Sequence, residues 1–182
     1  AKMNWNRGAS EMALSPDGKE FAFIVRGDVY VANAEYGTTK RITNTATQER
    51  SVEFSPDGRS LVYAGERNGH WNIYVDKDDK SFAYAKEIEE EQITKGTNAC
   101  FQPSFSPDGK EIAYLENRTE IKVINLKSKK SRTVLPAKYN YSYQDGDQWY
   151  QWSPDGRWIL AKYFEHGGWQ HNDIALVKAD GS

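Results

Sequence analysis

The chain has 182 residues, of which 38% are apolar and 13% aromatic, and its 24 basic and 26 acidic residues give a formal net charge of −2. This balanced charge argues against nucleic-acid binding driven by electrostatics. Cys100 is the only cysteine, which excludes an internal disulfide and a thiolate metal cluster. No stretch approaches 18 apolar residues, so no membrane insertion is predicted.

One tetrapeptide, always followed by Lys or Arg, occurs four times along the chain. Proline presets φ for the first central position of a type I turn, and the aspartate side chain can accept a nearby backbone N–H. Glycine supplies the left-handed conformation that follows such a turn in a hairpin. Each copy is therefore predicted to be a structural hairpin tip: Ser15-Pro16-Asp17-Gly18, Ser55-Pro56-Asp57-Gly58, Ser106-Pro107-Asp108-Gly109 and Ser153-Pro154-Asp155-Gly156.

Short apolar or alternating runs bounded by Gly, Asn and Asp surround each turn, and they predict strands in the same order every time. No window shows sustained helical spacing. In chain order the predicted strands are 11–14, 20–25, 28–32 and 40–43, then 51–54, 60–64, 71–75 and 91–94, then 102–105, 111–115, 120–124 and 131–135, and finally 150–152, 158–163 and 173–177.

The turn serines are 40, 51 and 47 residues apart (55−15, 106−55, 153−106), a period typical of four-stranded antiparallel propeller blades. The whole chain, 1–182, is predicted to be one all-β propeller segment with repeats at about 9–46, 47–97, 98–137 and 145–182. The last repeat lacks its final strand.

About four repeats predict an incomplete or open propeller, because a closed ring needs roughly four to eight blades. We therefore expect the chain to be a piece of a longer protein. Uncovered blade edges also predict self-association or marginal stability. A monomer in light scattering with a high, cooperative melting point would contradict this expectation.

Antiparallel blade topology divides the loops between two faces. The four Ser-Pro-Asp-Gly turns share one face, which we call the turn face. The opposite, irregular face carries Tyr and Trp among carboxylates and amides, which provide rigid contact area for a peptide or a sugar. In the alternative interpretation, Trp149 and Tyr150 only pack between blades. The predicted binding residues are Asn68, His70, Tyr139, Tyr141, Tyr143, Asp145, Trp149, His166, Trp169 and His171.

Patterns typical of catalysis are missing from the sequence. It has neither a Gly-x-Ser-x-Gly elbow nor a Gly-rich phosphate loop, so no catalytic residue and no cofactor are predicted. Residues 76–87 superficially resemble a calcium loop, but Ser81 stands where glycine is needed, and we interpret them as a solvated strand connection. His166 and His171 bracket a flexible Gly-Gly loop, where metal binding is a minor alternative and no metal is predicted.

The four turns, each followed by an apolar strand and then an Ile-Tyr-Val-type strand, resemble the WD-like repeats of TolB-type propellers. Residues 54–63 and 105–114 carry the clearest match, and the resemblance covers residues 9–181. The inserts at 80–90 and 138–148 depart from the repeat. The abundance of Trp and Tyr is most similar to the propeller of bacterial Tricorn-like peptidases, in which a separate protease domain follows.

This resemblance implies three alternative functions. The first is a non-catalytic propeller region of a Tricorn-like peptidase, which binds or gates peptide substrates or partners. The second is a TolB-like periplasmic scaffold for protein–protein interaction. The third is a sugar-active enzyme related to oligogalacturonate lyases, which needs an ordered His166 cluster. The resemblance also implies a periplasmic or cell-envelope location, and the single cysteine leaves the cytoplasm as the alternative.

Overall fold

The computed structural model describes residues 8–78, 81–144, 146–164 and 173–182, and they form four antiparallel sheets with the strands of each in sequential order. This confirms the predicted all-β, open arrangement of propeller blades. Helices able to cross a membrane are not found in these ranges. Blade 1 comprises β1 (Ala9–Leu14), β2 (Glu20–Val25), β3 (Asp28–Asn33) and β4 (Thr39–Arg41), and blade 2 comprises β5 (Glu49–Phe54), β6 (Ser60–Arg67), β7 (His70–Lys77) and β8 (Glu89–Gln92). Blade 3 comprises β9 (Cys100–Phe105), β10 (Glu111–Glu116), β11 (Glu120–Asn125) and β12 (Ser131–Leu135). Blade 4 comprises β13 (Tyr150–Trp152), β14 (Trp158–Tyr163) and β15 (Asp173–Lys178).

The apolar core lies between successive blades. Leu61, Ile112 and Ile159, which belong to the second strands, are completely buried, as is Val29 on β3. Three clusters of buried side chains join blade 1 to blade 2, blade 2 to blade 3, and blade 3 to blade 4. Burial of one large aliphatic side chain contributes about 2 kcal/mol. Apolar contacts between successive blades therefore hold the arc together.

The four Ser-Pro-Asp-Gly turns have the predicted geometry and nearly identical hydrogen bonds. The serine hydroxyl donates to the aspartate Oδ1 over 2.7, 2.6, 2.8 and 2.6 Å. The same Oδ1 accepts the N–H of the following basic residue over 3.0, 3.0, 3.1 and 3.1 Å. The hydrogen bond from the serine hydroxyl, followed by those from the basic residue, lowers the pKa of Asp108 and of Asp155 to about 2. The glycines have φ of 72°, 72°, 69° and 70°.

Successive turns also touch one another on the turn face. A Cβ placed on Gly58 would lie 3.5 Å from Cδ of Pro16, and one on Gly156 would lie 3.5 Å from Cδ of Pro107. The four turns thus form one row, in which the proline of each blade faces the glycine of the next.

Hydrogen bonds confirm the division into two faces. In every blade, the residue after the third strand donates its backbone N–H to the carbonyl of the Lys or Arg that follows the Ser-Pro-Asp-Gly turn. These distances are 2.8, 3.1, 3.0 and 2.9 Å in blades 1 to 4. The third-to-fourth connections therefore lie on the turn face. The second-to-third turns lie on the irregular face, where Asn68 (φ 54°) and Gly69 (φ 76°) form a two-residue hairpin turn.

The first strands of successive blades are neighbours and form the inner edge of the arc. The Glu53 carboxylate on β5 accepts the N–H of Phe105 over 3.0 Å and the hydroxyl of Ser104 over 3.3 Å, both on β9. In turn, the indole N–H of Trp152 on β13 donates to the Ser104 carbonyl over 3.3 Å. This inner edge positions the candidate site.

The insert after β7 closes the groove between blades 1 and 2. Its 3₁₀ turn, Phe82–Tyr84, places Phe82 in the core at 1% exposure. The Glu20 carboxylate accepts the N–H of Ala83 over 2.8 Å and the hydroxyl of Ser81 over 2.6 Å. The interpretation of residues 76–87 as a solvated connection is therefore wrong for Asp76, Phe82 and Ala83, which are buried. Lys77, Tyr84, Lys86 and Glu87 are exposed, as expected.

Candidate functional site

A cavity of about 100 Å³ opens at the inner edge of the arc, on the irregular face. Its wall combines two guanidinium groups, two carboxylates, two amides and two hydroxyls with a few apolar atoms. The lining residues are Glu11, Arg50, Ser51, Phe101, Gln102, Leu115, Arg118, Ser142, Gly146, Asp147 and Gln148. A small concave site with converging polar groups is suited to binding a flexible chain or a small polar ligand.

Irregularities in the inner strands create this cavity. The pairing of β1, β5 and β9 with their neighbours shifts register a few residues before the turn. At that place Ser51 (φ 59°) and Gln102 (φ 48°) adopt the left-handed conformation. Bulges of this kind re-aim side chains. The Glu11 carboxylate accepts the Ser51 N–H, and Gln102 Nε2 donates to the Gln148 carbonyl over 2.9 Å.

Gln148 carries an unsatisfied acceptor in the cavity wall. Its side chain is buried at 3% exposure, and its Nε2 donates to the Tyr141 carbonyl. Its Oε1 is buried and has no hydrogen-bond partner among the described residues. A buried acceptor without a partner costs about 1–3 kcal/mol.

Asp147 organises the loop beside Gln148. Its carboxylate accepts the Ser142 hydroxyl over 2.7 Å and the Gln144 N–H over 3.1 Å, together with the Tyr143 N–H. Burial acts to raise the pKa of Asp147, but these hydrogen bonds outweigh it, and the net pKa lies below the usual range. The charged carboxylate therefore holds the aromatic loop in place.

The predicted aromatic residues divide into exposed and packed groups. Tyr141 and Tyr143 are 47% and 66% exposed, and their rings meet edge-on with centroids 4.9 Å apart. Trp149 is also exposed, at 47%. Tyr139 stacks on Tyr163 at 5.3 Å and is half-buried. The exposed pair forms a wall of aromatic surface next to the cavity.

Tyr150 packs between blades, as the alternative interpretation predicted, whereas Trp149 does not. Tyr150 lies on β13 between blades 3 and 4, and the carbonyls of Gln102 and, at 3.0 Å, Ala113 both lie within hydrogen-bond distance of its hydroxyl. Trp149 precedes the strand and stays exposed.

Among the other predicted residues that the structure describes, neither Asn68 nor His70 lines the cavity. Asn68 and His70 are exposed at the tip of the β6–β7 hairpin. Asp145, His166, Trp169 and His171 lie outside the described residues. The lyase alternative depends on His166 and His171, so it stays a prediction from resemblance.

Sequence analysis did not predict the inner-strand residues of the cavity, although their position within each repeat indicates them. Glu11, Ser51 and Gln102 each stand four residues before the serine of a turn. Their side chains differ, whereas the turns repeat almost unchanged. Variation at one fixed position of a repeat indicates a position that the fold does not dictate.

A separate polar cluster in blade 2 is structural. The side chain of Glu49 is completely buried and pairs with Nη1 of Arg67 over 2.6 Å. Its two oxygens also accept the hydroxyls of Thr43 over 3.0 Å and Thr45 over 2.9 Å. Because this carboxylate is buried and both of its oxygens already bond to neighbouring side chains, we assign it a structural role.

Asp76 lies at the other end of this cluster, in an unfavourable position for a charge. It is 2% exposed, and its Oδ1 lies 3.2 Å from the hydroxyl oxygen of Tyr63. Tyr63 donates to Glu90 over 2.6 Å. Burial, and then the negative charge of Glu90, raise the pKa of Asp76 to about 7.

Comparison with known sequences identifies the family of this architecture. The sequence profile of the TolB beta propeller domain matches residues 3–182. The chain belongs to the TolB β-propeller family. Resemblance to TolB and Tricorn repeats, predicted from the four turns, is thereby confirmed.

Three relatives show how far the similarity of this TolB-family chain extends. It is 28% identical over 112 residues to the Tol-Pal system protein TolB of Francisella tularensis subsp. tularensis, covering 58% of this chain and 24% of that protein. It is 22% identical over 166 residues to the Tricorn protease homolog of Saccharolobus solfataricus, covering 91% of this chain and 14% of that protein. The crystal structure of TolB from Acinetobacter baumannii has a TM-score of 0.71 at 20% identity, covering 96% of this chain and 42% of that one.

The chain matches only part of each of these relatives. The chain spans a quarter or less of the Francisella and Saccharolobus proteins and less than half of the Acinetobacter structure. At 20% identity, the Acinetobacter structure shows a shared fold. Activity and partners are therefore inferred from the site.

Proposed function

We propose that this TolB-family segment is a non-catalytic module that binds peptides or proteins on its irregular face. The site comprises the inner cavity and the loop from Tyr139 to Trp149. The observation that carries the proposal is the exposed pair Tyr141 and Tyr143 beside a cavity whose wall presents amide, carboxylate and hydroxyl acceptors. A peptide offers main-chain N–H groups to such acceptors and side chains to the rings.

Two contexts fit a peptide-binding propeller. In the first, the segment belongs to a Tricorn-like peptidase and gates or holds substrate peptides. This context is supported by the Saccharolobus relative, which matches 91% of the chain. In the second, it is a TolB-like scaffold for other proteins in the periplasm or cell envelope, which the Francisella relative supports. A peptidase domain encoded downstream favours the first context, and further blades without one favour the second.

We further propose that the ends of the arc self-associate or receive further blades. Met12 and Leu14 on β1 are 75% and 64% exposed, and Ile174 and Leu176 on β15 are 70% and 57% exposed. Apolar strand surface of this kind marks an interaction site. We expect sedimentation velocity to show concentration-dependent association that Leu14→Lys reduces. Sedimentation as a monomer at every concentration contradicts this proposal.

Selection from a random dodecapeptide display library tests the binding proposal. Enriched peptides are expected to bind with micromolar Kd and to lose about tenfold in affinity in Tyr143→Ala, because exposed aromatic residues dominate such interfaces. Fluorescence anisotropy with labelled copies of the enriched peptides measures the change.

The matched control is Tyr36→Ala. Tyr36 is 71% exposed, similar to Tyr143, but belongs to a third-to-fourth connection on the turn face. Affinity is expected to stay unchanged in this variant. Equal affinities for Tyr143→Ala and Tyr36→Ala, or selection without any enrichment, would refute the site.

A further inference from the structure

Blade 2 carries a buried aspartate in its third strand, where the other blades carry an apolar residue. Asp76 on β7 pairs with Leu61 on β6 and with Glu90 on β8. At the same place in the other third strands, opposite the residues equivalent to Leu61, stand Ala32, Ile124 and Val177. The fold therefore forms this position without a charged side chain, and the aspartate is a feature particular to blade 2.

Two carboxylates lie around one hydroxyl proton at this position. The Tyr63 hydroxyl oxygen is 2.6 Å from Oε2 of Glu90 and 3.2 Å from Oδ1 of Asp76. The hydroxyl has a single hydrogen, and the shorter distance assigns it to Glu90. Oδ1 of Asp76 then faces the lone pairs of the hydroxyl oxygen, a repulsive contact unless Asp76 carries a proton and donates it. The geometry thus favours the protonated form of Asp76.

The surrounding charges act in the same direction. Asp76 and Glu90 stand directly opposite each other on antiparallel strands, where like charges are destabilising. The guanidinium of Arg67 is shared between two other contacts, with Oε1 of Glu49 at 2.6 Å and Oε2 of Glu90 at 3.3 Å. Three carboxylates therefore face one guanidinium and one phenol. Burial and Glu90 raise the pKa of Asp76 more than Tyr63 and Arg67 lower it.

The strand that covers Asp76 is the short outer strand of the blade. β8 has four residues and lies at the edge of the sheet, whereas β6, on the other side of β7, has eight. Three of the four residues of β8 are glutamates, 89–91. Departure of β8 would remove the opposing charge of Glu90 and admit water to Asp76, and a short edge strand belongs to the part of a fold that opens most easily.

Both ends of this stretch are anchored to the rest of the blade. Before β8, Phe82 is buried in the core between blades 1 and 2. After β8, the Thr94 hydroxyl accepts the N–H of Ile73 over 2.9 Å. An opening is therefore confined to β8 and the residues next to it. It would also break the ion pair of Glu91 with Lys129 of blade 3, at 2.5 Å.

We propose that β8 is a pH-controlled flap, which closes over Asp76 while this carboxyl holds its proton and opens when rising pH removes the proton. The proton is bound more tightly in the closed state, so closure is favoured at low pH and is lost as the pH rises through the pKa of Asp76 in the closed state, about 7. Opening uncovers the hydrogen-bonding edge of β7 and releases one link between blades 2 and 3. The flap is independent of the proposed binding site.

Hydrogen exchange of the full chain, measured by mass spectrometry at about pH 5 and about pH 8, tests the flap. Protection factors remove the intrinsic pH dependence of exchange and are compared between β8 and β12, the equivalent outer strand of blade 3. Protection of β8 is expected to fall at least about tenfold at the higher pH, because proton release is linked to opening. Protection of β12 is expected to change much less.

Asp76→Asn is expected to give β8 the same protection at both pH values, because the amide does not titrate. Glu90→Gln is expected to reduce the loss of protection, because it removes the charge opposite Asp76. The matched control is Glu89→Gln, which is exposed on the same strand but stands opposite Lys77, and it is expected to keep the loss of the wild type.

Three results would each overturn the proposal. The first is an equal loss of protection in β8 and β12, which would indicate loosening of the whole chain. The second is a pH response of β8 that persists in Asp76→Asn. The third is the same response in Glu90→Gln and Glu89→Gln, which decides the question at two exposed positions even if Asp76→Asn does not fold.

Discussion

Replacing Phe82 by alanine is expected to lower the free energy of unfolding by about 3–4 kcal/mol, as is typical of large-to-small changes in a core. The side chain is 1% exposed and belongs to the cluster that joins blade 1 to blade 2. Removing the ring leaves a cavity between the blades, because Glu20 still holds the main chain of the 3₁₀ turn. Equilibrium unfolding in urea, monitored by tryptophan fluorescence, measures the change.

Tyr84→Ala provides the control within the same 3₁₀ turn. Tyr84 is 53% exposed, so its replacement is expected to change stability by less than about 0.5 kcal/mol. If Phe82→Ala were as mild as Tyr84→Ala, the insert would not close the groove between blades 1 and 2.

Stability is expected to fall by about 2 kcal/mol between pH 5 and pH 8 because of Asp76. Its pKa is raised from 3.8 to about 7 by burial and by Glu90, so the folded state holds the proton more tightly than the unfolded state. A raised folded-state pKa gives stability that is present below the unfolded value and lost as pH rises through the folded value. The loss therefore occupies the range from about 4 to 7.

Asp76→Asn is expected to remove this pH dependence. Asparagine can still form a hydrogen bond with the Tyr63 hydroxyl, and it carries no charge at any pH. Urea unfolding at pH 5, 6, 7 and 8 compares the variant with the wild type and with Glu35→Gln, an exposed carboxylate on the turn face. A wild-type slope that persists in Asp76→Asn would assign the titration to another group.

The repeated turns made the architecture predictable. Every property that forms the turn lies within five consecutive residues: the φ of Pro56, the acceptor of Asp57 and the left-handed Gly58, for example. Four copies at blade spacing then determine the strand order and the division into two faces. Local chemistry repeated at a fixed period is the part of a fold that a single sequence shows most directly.

The environment of residues 76–87 was not predictable in the same way. Asp76 and Ser81 stand in a charged stretch that has the composition of a solvated loop. Ser81 bonds to Glu20, which lies in another blade and 61 residues earlier in the chain. Asp76 is buried beside Tyr63 of the neighbouring strand. No local pattern encodes a contact over such a separation.

The candidate site was predicted in part. Exposed Tyr141, Tyr143 and Trp149 follow from the composition of their loop. Gln102 and Gln148 do not, because they meet only when β9 is bulged and blade 4 packs beside it. Bulges are set by the partner strand as much as by the bulged residue, so their consequences appear once the pairing is known.

The proline of one Ser-Pro-Asp-Gly turn lies against the glycine of the next, so the same tetrapeptide provides both contacting surfaces between neighbouring blades. A Cβ placed on Gly109 would lie 3.7 Å from Cδ of Pro56, just as one on Gly58 would lie 3.5 Å from Cδ of Pro16. A duplicated blade therefore arrives with a matching surface on either side and requires no compensating substitutions there. Genes for such chains can gain or lose blades by copying, while the loops of the irregular face diverge independently toward different ligands.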